Sequence, residues 1–111
     1  MSFRLETGTE LRSQWAPVIE HQFALTLASV NTSLKNPLVR FAEVRENGTS
    51  RFRCTFLARS GGELLELACE HQDGRIAIGD TFSRVRRAIS RRRSRMADRT
   101  LNRTAPTSRL R

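Results

Sequence analysis

Apolar and polar positions along this chain fall into six patterned stretches, and each predicts one element. Phe3-Arg4-Leu5-Glu6-Thr7 alternates apolar and polar, the period of a short half-buried strand, and Gly8-Thr9 breaks it. Trp15, Ile19, Phe23, Thr26, Leu27 and Val30 then recur at helical spacing and predict a helix from about Ser13 to Val30. Pro17 fits such a helix only in its first turn, where a missing N–H does little harm, so Ser13 is read as the N-cap. Asn31 to Pro37 is rich in Asn, Ser and Thr and reads as a polar connection.

Leu38 to Glu46 reads as extended. Val39 and Phe41 share one face and Val44 falls on the other, an irregularity that a bulge or a fraying end would produce. Asn47-Gly48 is a strong hairpin signal. Beyond it Phe52, Cys54, Phe56 and Ala58 alternate with Arg51, Arg53, Thr55, Leu57 and Arg59, a clean strand with one apolar face. Ser60-Gly61-Gly62-Glu63 follows, then Leu64 to Glu70 with Leu65, Leu67 and Cys69 in phase. A two-residue turn at Gly61-Gly62 places Ala58 opposite Leu65, Phe56 opposite Leu67 and Cys54 opposite Cys69. Turn and hydrophobic pattern then select the same register.

Asp73 is a good N-cap for a second helix, predicted from Gly74 to about Ala97. Ile78, Phe82, Val85, Ile89 and Met96 share one side of it, and Arg84, Arg87, Arg91 and Arg95 form a stripe roughly opposite. Gly79 inside this helix costs about 1 kcal/mol relative to Ala. From Asp98 the pattern fades through Asn102-Arg103-Thr104-Ala105-Pro106, which reads as a mobile tail. The expected organisation is an α+β domain over residues 1–97 and a basic, disordered C-terminal tail over 98–111. Two helices and a sheet with one apolar face each predict a two-layer β-α-β-β-β-α sandwich. Its four-stranded sheet would carry both helices on one face.

Charge sharpens this picture. Residues 84–111 carry 11 Arg against Asp98 alone, whereas residues 1–83 hold 9 basic and 10 acidic side chains. The basic character therefore belongs to one element. Lys35 is the only Lys, so nearly all the positive charge is Arg, whose planar fork of donors matches phosphate oxygens. A pI near 11.6 with clustered Arg is the footprint of a nucleic-acid binder. The alternatives are a solvated basic face, or contact with an acidic protein or a membrane surface. Like charges four apart on a helix repel by a few tenths of a kcal/mol per pair, so a row of them makes sense beside a polyanion. Such contacts position a protein without reading bases and weaken steeply with salt.

Other chemistry is sparse. No apolar run approaches the roughly 20 residues that span a bilayer. Met1 to Glu6 lacks the basic-then-apolar layout of a signal peptide, which makes the cytoplasm the default compartment, with reduced cysteines. Structural zinc wants four ligands, so Cys54 and Cys69 are read as core residues rather than metal ligands. His21 and His71 have no partner at useful spacing. Glu63, Glu66 and Glu70 recur along the fourth strand and read as solvated carboxylates partnering Arg side chains. No phosphate loop, triad or paired-carboxylate site is visible, so no reaction, small-molecule substrate, cofactor or metal is expected.

The element order, with the residues around the last hairpin and helix, resembles the ribosome hibernation-promoting factor family. That family includes the ribosome-associated translation inhibitors, also called ribosomal subunit interface proteins. The resemblance rests on Gly61-Gly62-Glu63-Leu64 opening the fourth strand and Glu70-His71-Gln72-Asp73 leading directly into the second helix. There Ala77-Ile78, Phe82, Arg84, Val85 and Ile89 fall where the family places its helix core and basic residues. Glu46-Asn47-Gly48 and the preceding first helix also fit, so that residues 3–96 are covered. The resemblance implies a fold similar to a double-stranded RNA-binding domain. It also implies a monomer seated on the small ribosomal subunit, silencing translation from the channel that mRNA and tRNA occupy. Arg84, Arg87, Arg91, Arg92 and Arg95 would then meet ribosomal RNA phosphates, with Arg51, Arg53 and Arg59 adding to the contact. The chain departs from the family in carrying no Lys or Arg between Ser13 and Leu34. It also has Arg75 where an aromatic is common and Gly79 where an acid is common. The long members' extra dimerisation domain is absent, and ribosome pairing through it is not expected. Two other readings stay open: a general DNA- or RNA-binding regulator using the same helix, and an interaction module docking an acidic protein.

Overall fold

The computed structural model describes residues 3–29 and 34–104, with side chains as far as Arg91. Six elements follow one another: β1 (Arg4–Glu6), α1 (Thr9–Ser29), β2 (Leu34–Glu46), β3 (Thr49–Ser60), β4 (Glu63–His71) and α2 (Gly74–Thr104). The sheet has the order β1-β2-β3-β4, with β1 parallel to β2 and the other pairs antiparallel. The parallel pair requires a crossover, and α1 supplies it. The two hairpins need only two residues each. Asn47 and Gly48 take φ of 51° and 76°, Gly61 and Gly62 take 59° and 82°, the left-handed pairs of turns that match strand twist. The expected β3–β4 register is observed, with Ala58, Phe56 and Cys54 opposite Leu65, Leu67 and Cys69.

Three boundaries differ from the sequence pattern. The first helix begins at Thr9, with the Arg12 N–H donating to Gly8 O at 2.9 Å, so Ser13 is not its cap and Pro17 lies in its third turn. Pro17 leaves the Ser13 carbonyl without its helical donor, but both residues lie on the exposed side, where water can satisfy it. Second, β2 starts at Leu34 inside the expected connection, and the ladder slips by one residue between Lys35 and Leu38. Asn36 takes a positive φ of 53° there. Leu34 and Val39 are an odd number of residues apart and would face opposite ways in a regular strand; the extra residue puts both into the core. The bulge therefore precedes Leu38. From Leu38 to Glu46 the ladder is regular, and Val44 simply faces the open side opposite Arg51. Third, α2 continues to Thr104 rather than ending near Ala97. Residues 98–104 contain no Gly or Pro, and the first breaker is Pro106, which disfavours helix at Ala105. Val30, residues 31–33, the tail residues 105–111 and the side chains of Arg92, Arg95 and Met96 lie outside what is described.

The core lies between the helices and one sheet face. Val39, Phe41, Cys54, Phe56, Ala58 and Leu65 come from the sheet, Ile19 and Phe23 from α1, and Ile78, Phe82, Val85 and Ile89 from α2. Phe82 meets Phe23 at 6.5 Å and Phe56 at 5.6 Å, both edge-on, and so joins all three parts. Trp15, half-buried, rests on Phe41 at 5.7 Å and Phe52 at 5.8 Å. α2 opens as its sequence predicts, with the Arg75 N–H donating to Asp73 Oδ1 and the Ala77 N–H to Asp73 O.

Two glycines of α2 make opposite predictions. A Cβ on Gly74 would stand 2.9 Å from Trp15 Cζ2 and 3.1 Å from Phe41 Cζ, a position that only hydrogen fits. Gly74→Ala should therefore cost about 1–3 kcal/mol through overpacking. A Cβ on Gly79 meets nothing within 4 Å, and Gly79→Ala should stabilise by about 0.5–1 kcal/mol through helix propensity. Urea midpoints should move in opposite directions at unchanged slope.

Candidate nucleic-acid interface

The apolar stripe of α2 decides which of its arginines face outward. Ala77, Ile78, Thr81, Phe82, Val85 and Ile89 are buried, which leaves Arg84, Arg87 and Arg91 exposed on the far side. Successive members are separated by one helical turn, about 4.5–6 Å along the axis. Arg87 Nη2 donates to Ser83 Oγ at 3.3 Å, which steadies the guanidinium without neutralising it. Among the described residues none of the three forms an ion pair. Their charge is available to a partner.

Arg86 is a different kind of arginine. It is half-buried and its Nη1 donates to Thr26 Oγ1 at 3.2 Å, while that hydroxyl donates to Gln22 O at 2.9 Å. It ties α2 to α1. The sequence carries a hint of this, since Arg86 lies four residues after Phe82 and beside Val85, at the border of the apolar stripe. Arg12 is likewise structural, donating to Leu5 O at 2.8 Å.

Arg51, Arg53 and Arg59 point from β3 to the open face of the sheet. They are on the opposite side of the sandwich from the α2 row, so the expected site residues form two surfaces rather than one. The open face is laced with opposite charges. Glu70 sits across from Arg53 and lies 3.6 Å from Arg51 and 3.7 Å from Arg53. Glu6 binds Arg40 at 2.8 Å. On the other face, in phase with Phe41 and opposite Phe52, Glu43 lies 3.4 Å from Arg45. Ser50 donates to Glu43 and, with Arg45, holds that carboxyl below its ordinary range. Arg59 is exposed, outside these pairs.

No family model matches this sequence, and no curated protein matches it. Among solved structures, the crystal structure of the Thermus thermophilus Protein Y N-terminal domain matches with a TM-score of 0.62. The match covers 82% of this chain and 98% of that one at 15% identity. The fold is that of the Protein Y N-terminal domain. At 15% identity the likeness resides in the backbone.

Within this Protein Y-like fold, His71 serves the last connection, its Nδ1 accepting the Asp73 N–H at 2.9 Å. No group of three or more His, Cys, Asp or Glu side chains gathers in a metal-like cluster among the described residues. No helix among them is long and apolar enough to cross a membrane. The Glu70 pairs make a direct prediction. Glu70→Gln should release Arg51 and Arg53 and strengthen binding to duplex RNA by roughly two- to fivefold at low salt, with a steeper salt dependence. Filter binding over a salt series measures it; an unchanged slope would show that the open face takes no part.

Proposed function

We propose that this chain is a ribosome-associated factor. It binds ribosomal RNA of the small subunit through the outer side of α2 and silences translation by occupying the channel that mRNA and tRNA use. The observation that carries this is the exposed Arg84, Arg87 and Arg91 row on the second helix of a Protein Y-like fold. The resemblance of the last hairpin and helix to the hibernation-promoting factors supports it. Arg95, four residues after Arg91, continues the same row by helical spacing. The guanidinium groups meet phosphate oxygens, release counterions and hold the domain in place without reading sequence. A monomer in the cytoplasm suffices, and the mechanism is exclusion, with no bond made or broken. Arg51, Arg53 and Arg59 face the other way, a two-sided arrangement suited to a channel with RNA on both walls.

Cosedimentation with purified ribosomal subunits over a salt series tests the proposal. Binding to small subunits at low salt that falls steeply as salt rises is expected, together with inhibition of a purified translation system. Failure to bind small subunits, with retained binding to arbitrary duplex DNA, would favour the general nucleic-acid-binding regulator instead.

A further inference from the structure

The RNA-facing surfaces leave both cysteines unused. Cys54 on β3 and Cys69 on β4 stand directly opposite one another, and both are free thiols. Residues flanking a two-residue turn exchange both backbone hydrogen bonds, and every second pair along the ladder repeats this. Ser60 and Glu63 flank the Gly61-Gly62 turn, so Ala58/Leu65, Phe56/Leu67 and Cys54/Cys69 are pairs of this kind. Their Cα atoms lie about 5.5 Å apart. Disulfides accept Cα separations of about 4.4–6.8 Å. Both side chains leave the helix-covered face, between the Phe56/Leu67 and Phe52/His71 pairs.

Access to the two thiols differs. Cys54 is fully buried, and desolvation above all pushes its thiol up to about 12, so it does not open an exchange reaction by itself. Cys69 is half-buried on a strand that has a neighbour on one side only, which leaves an edge for approach.

We propose that Cys54 and Cys69 form a thiol–disulfide exchange site, closed reversibly by a low-molecular-weight disulfide of the glutathione type. The Cys69 sulfur, giving up its proton, attacks one sulfur of the reagent; the reagent's S–S bond breaks and one thiol leaves with that proton. Cys54 then attacks the Cys69 sulfur, releasing the second reagent thiol with its own proton and forming the Cys54–Cys69 bond. The two cysteines lose two electrons, and one reagent disulfide becomes two thiols. Closure must draw the Cβ atoms in to about 3.8 Å from the wider spacing of a hydrogen-bonded pair. That strain makes the bond easy to reduce again. Closure also reaches α2. The Thr81 hydroxyl lies 2.8 Å from Ala77 O and 3.2 Å from Cys54 O, its one proton shared between them, so the helix is tied to the sheet at the cysteine itself. Arg84 follows one turn later.

Incubating the native chain with excess glutathione disulfide, then alkylating and measuring mass, tests this. The expected product has lost two hydrogens, yields one peptide cross-link between Cys54 and Cys69, and reverts in reduced glutathione. Trp15 emission should shift on closure, because its neighbour Phe52 is two residues from Cys54 on the same face. Cys69→Ser should leave Cys54 unmodified while the chain stays folded. Cys54→Ser, where it folds, should stop at a glutathione adduct on Cys69. A native chain that keeps both thiols under conditions that oxidise the urea-unfolded chain would overturn the proposal. So would a wild-type adduct at Cys69 that never resolves.

Discussion

Replacing Arg84, Arg87 and Arg91 together by Ala should lower affinity for small ribosomal subunits about a hundredfold near 0.1 M salt, at about 1 kcal/mol for each arginine–phosphate interaction removed. The slope of log affinity against log salt should become shallower by about two to three, because each such interaction carries close to one released counterion. Thermal stability should hold, since the three side chains are exposed and make no ion pair among the described residues, and such surface changes shift stability by about 0.5 kcal/mol or less each. Arg86→Ala is the contrasting control. It removes a half-buried side chain bonded to Thr26, so stability should fall by about 1 kcal/mol with the salt slope nearly unchanged. Cosedimentation and a thermal melt on the same preparations read both quantities. An unaltered affinity in the triple variant would remove the outer side of α2 from the interface.

Phe82→Ala should cost about 3–5 kcal/mol, a large share of the 5–15 kcal/mol typical of a domain. Phe82 is fully buried and meets Phe23 of α1 and Phe56 of β3 edge-on, so its removal opens a cavity where helix, helix and sheet converge. None of these neighbours can collapse into the space without leaving another. The melting temperature should drop by roughly 20 °C for a chain of this size. Binding should fail through loss of folded protein rather than through weaker phosphate interactions, so the folded fraction at low temperature should keep the wild-type salt slope. A cost under about 1 kcal/mol would mean that α2 is not held on the sheet through this residue.

Much of the fold is legible where two local signals agree. The β3–β4 register follows from a two-residue glycine turn and an apolar phase that select the same pairing. The start of α2 follows from Asp73, whose carboxylate and carbonyl take the first helical N–H groups. The same helix shows its outward arginines because Ile78, Phe82, Val85 and Ile89 leave only one side to face solvent. Legibility ends where signals conflict or are silent. Pro17 argues for a late start to α1, yet its cost falls on a solvated carbonyl, and the crossover to the parallel strand favours the longer helix. At Asn36 a positive φ adds one residue to β2 and reverses its facing, which no apolar period announces in a polar stretch containing a proline.

Element order, the second hairpin's register and the excess of positive charge on the last helix all follow from local patterns in the chain. These depend on residues a few positions apart, whose mutual geometry the backbone of a helix, strand or turn already dictates. Which arginines are available is set by contacts between elements far apart in the chain. Arg86 is committed to Thr26, 60 residues away, and Arg51 and Arg53 share Glu70 across a strand pair. Arg84, Arg87 and Arg91 are left to a partner, and the β3 arginines face the opposite way. Charge is a property of the residue. Its availability depends on what the fold brings within about 4 Å, and that is not a local quantity.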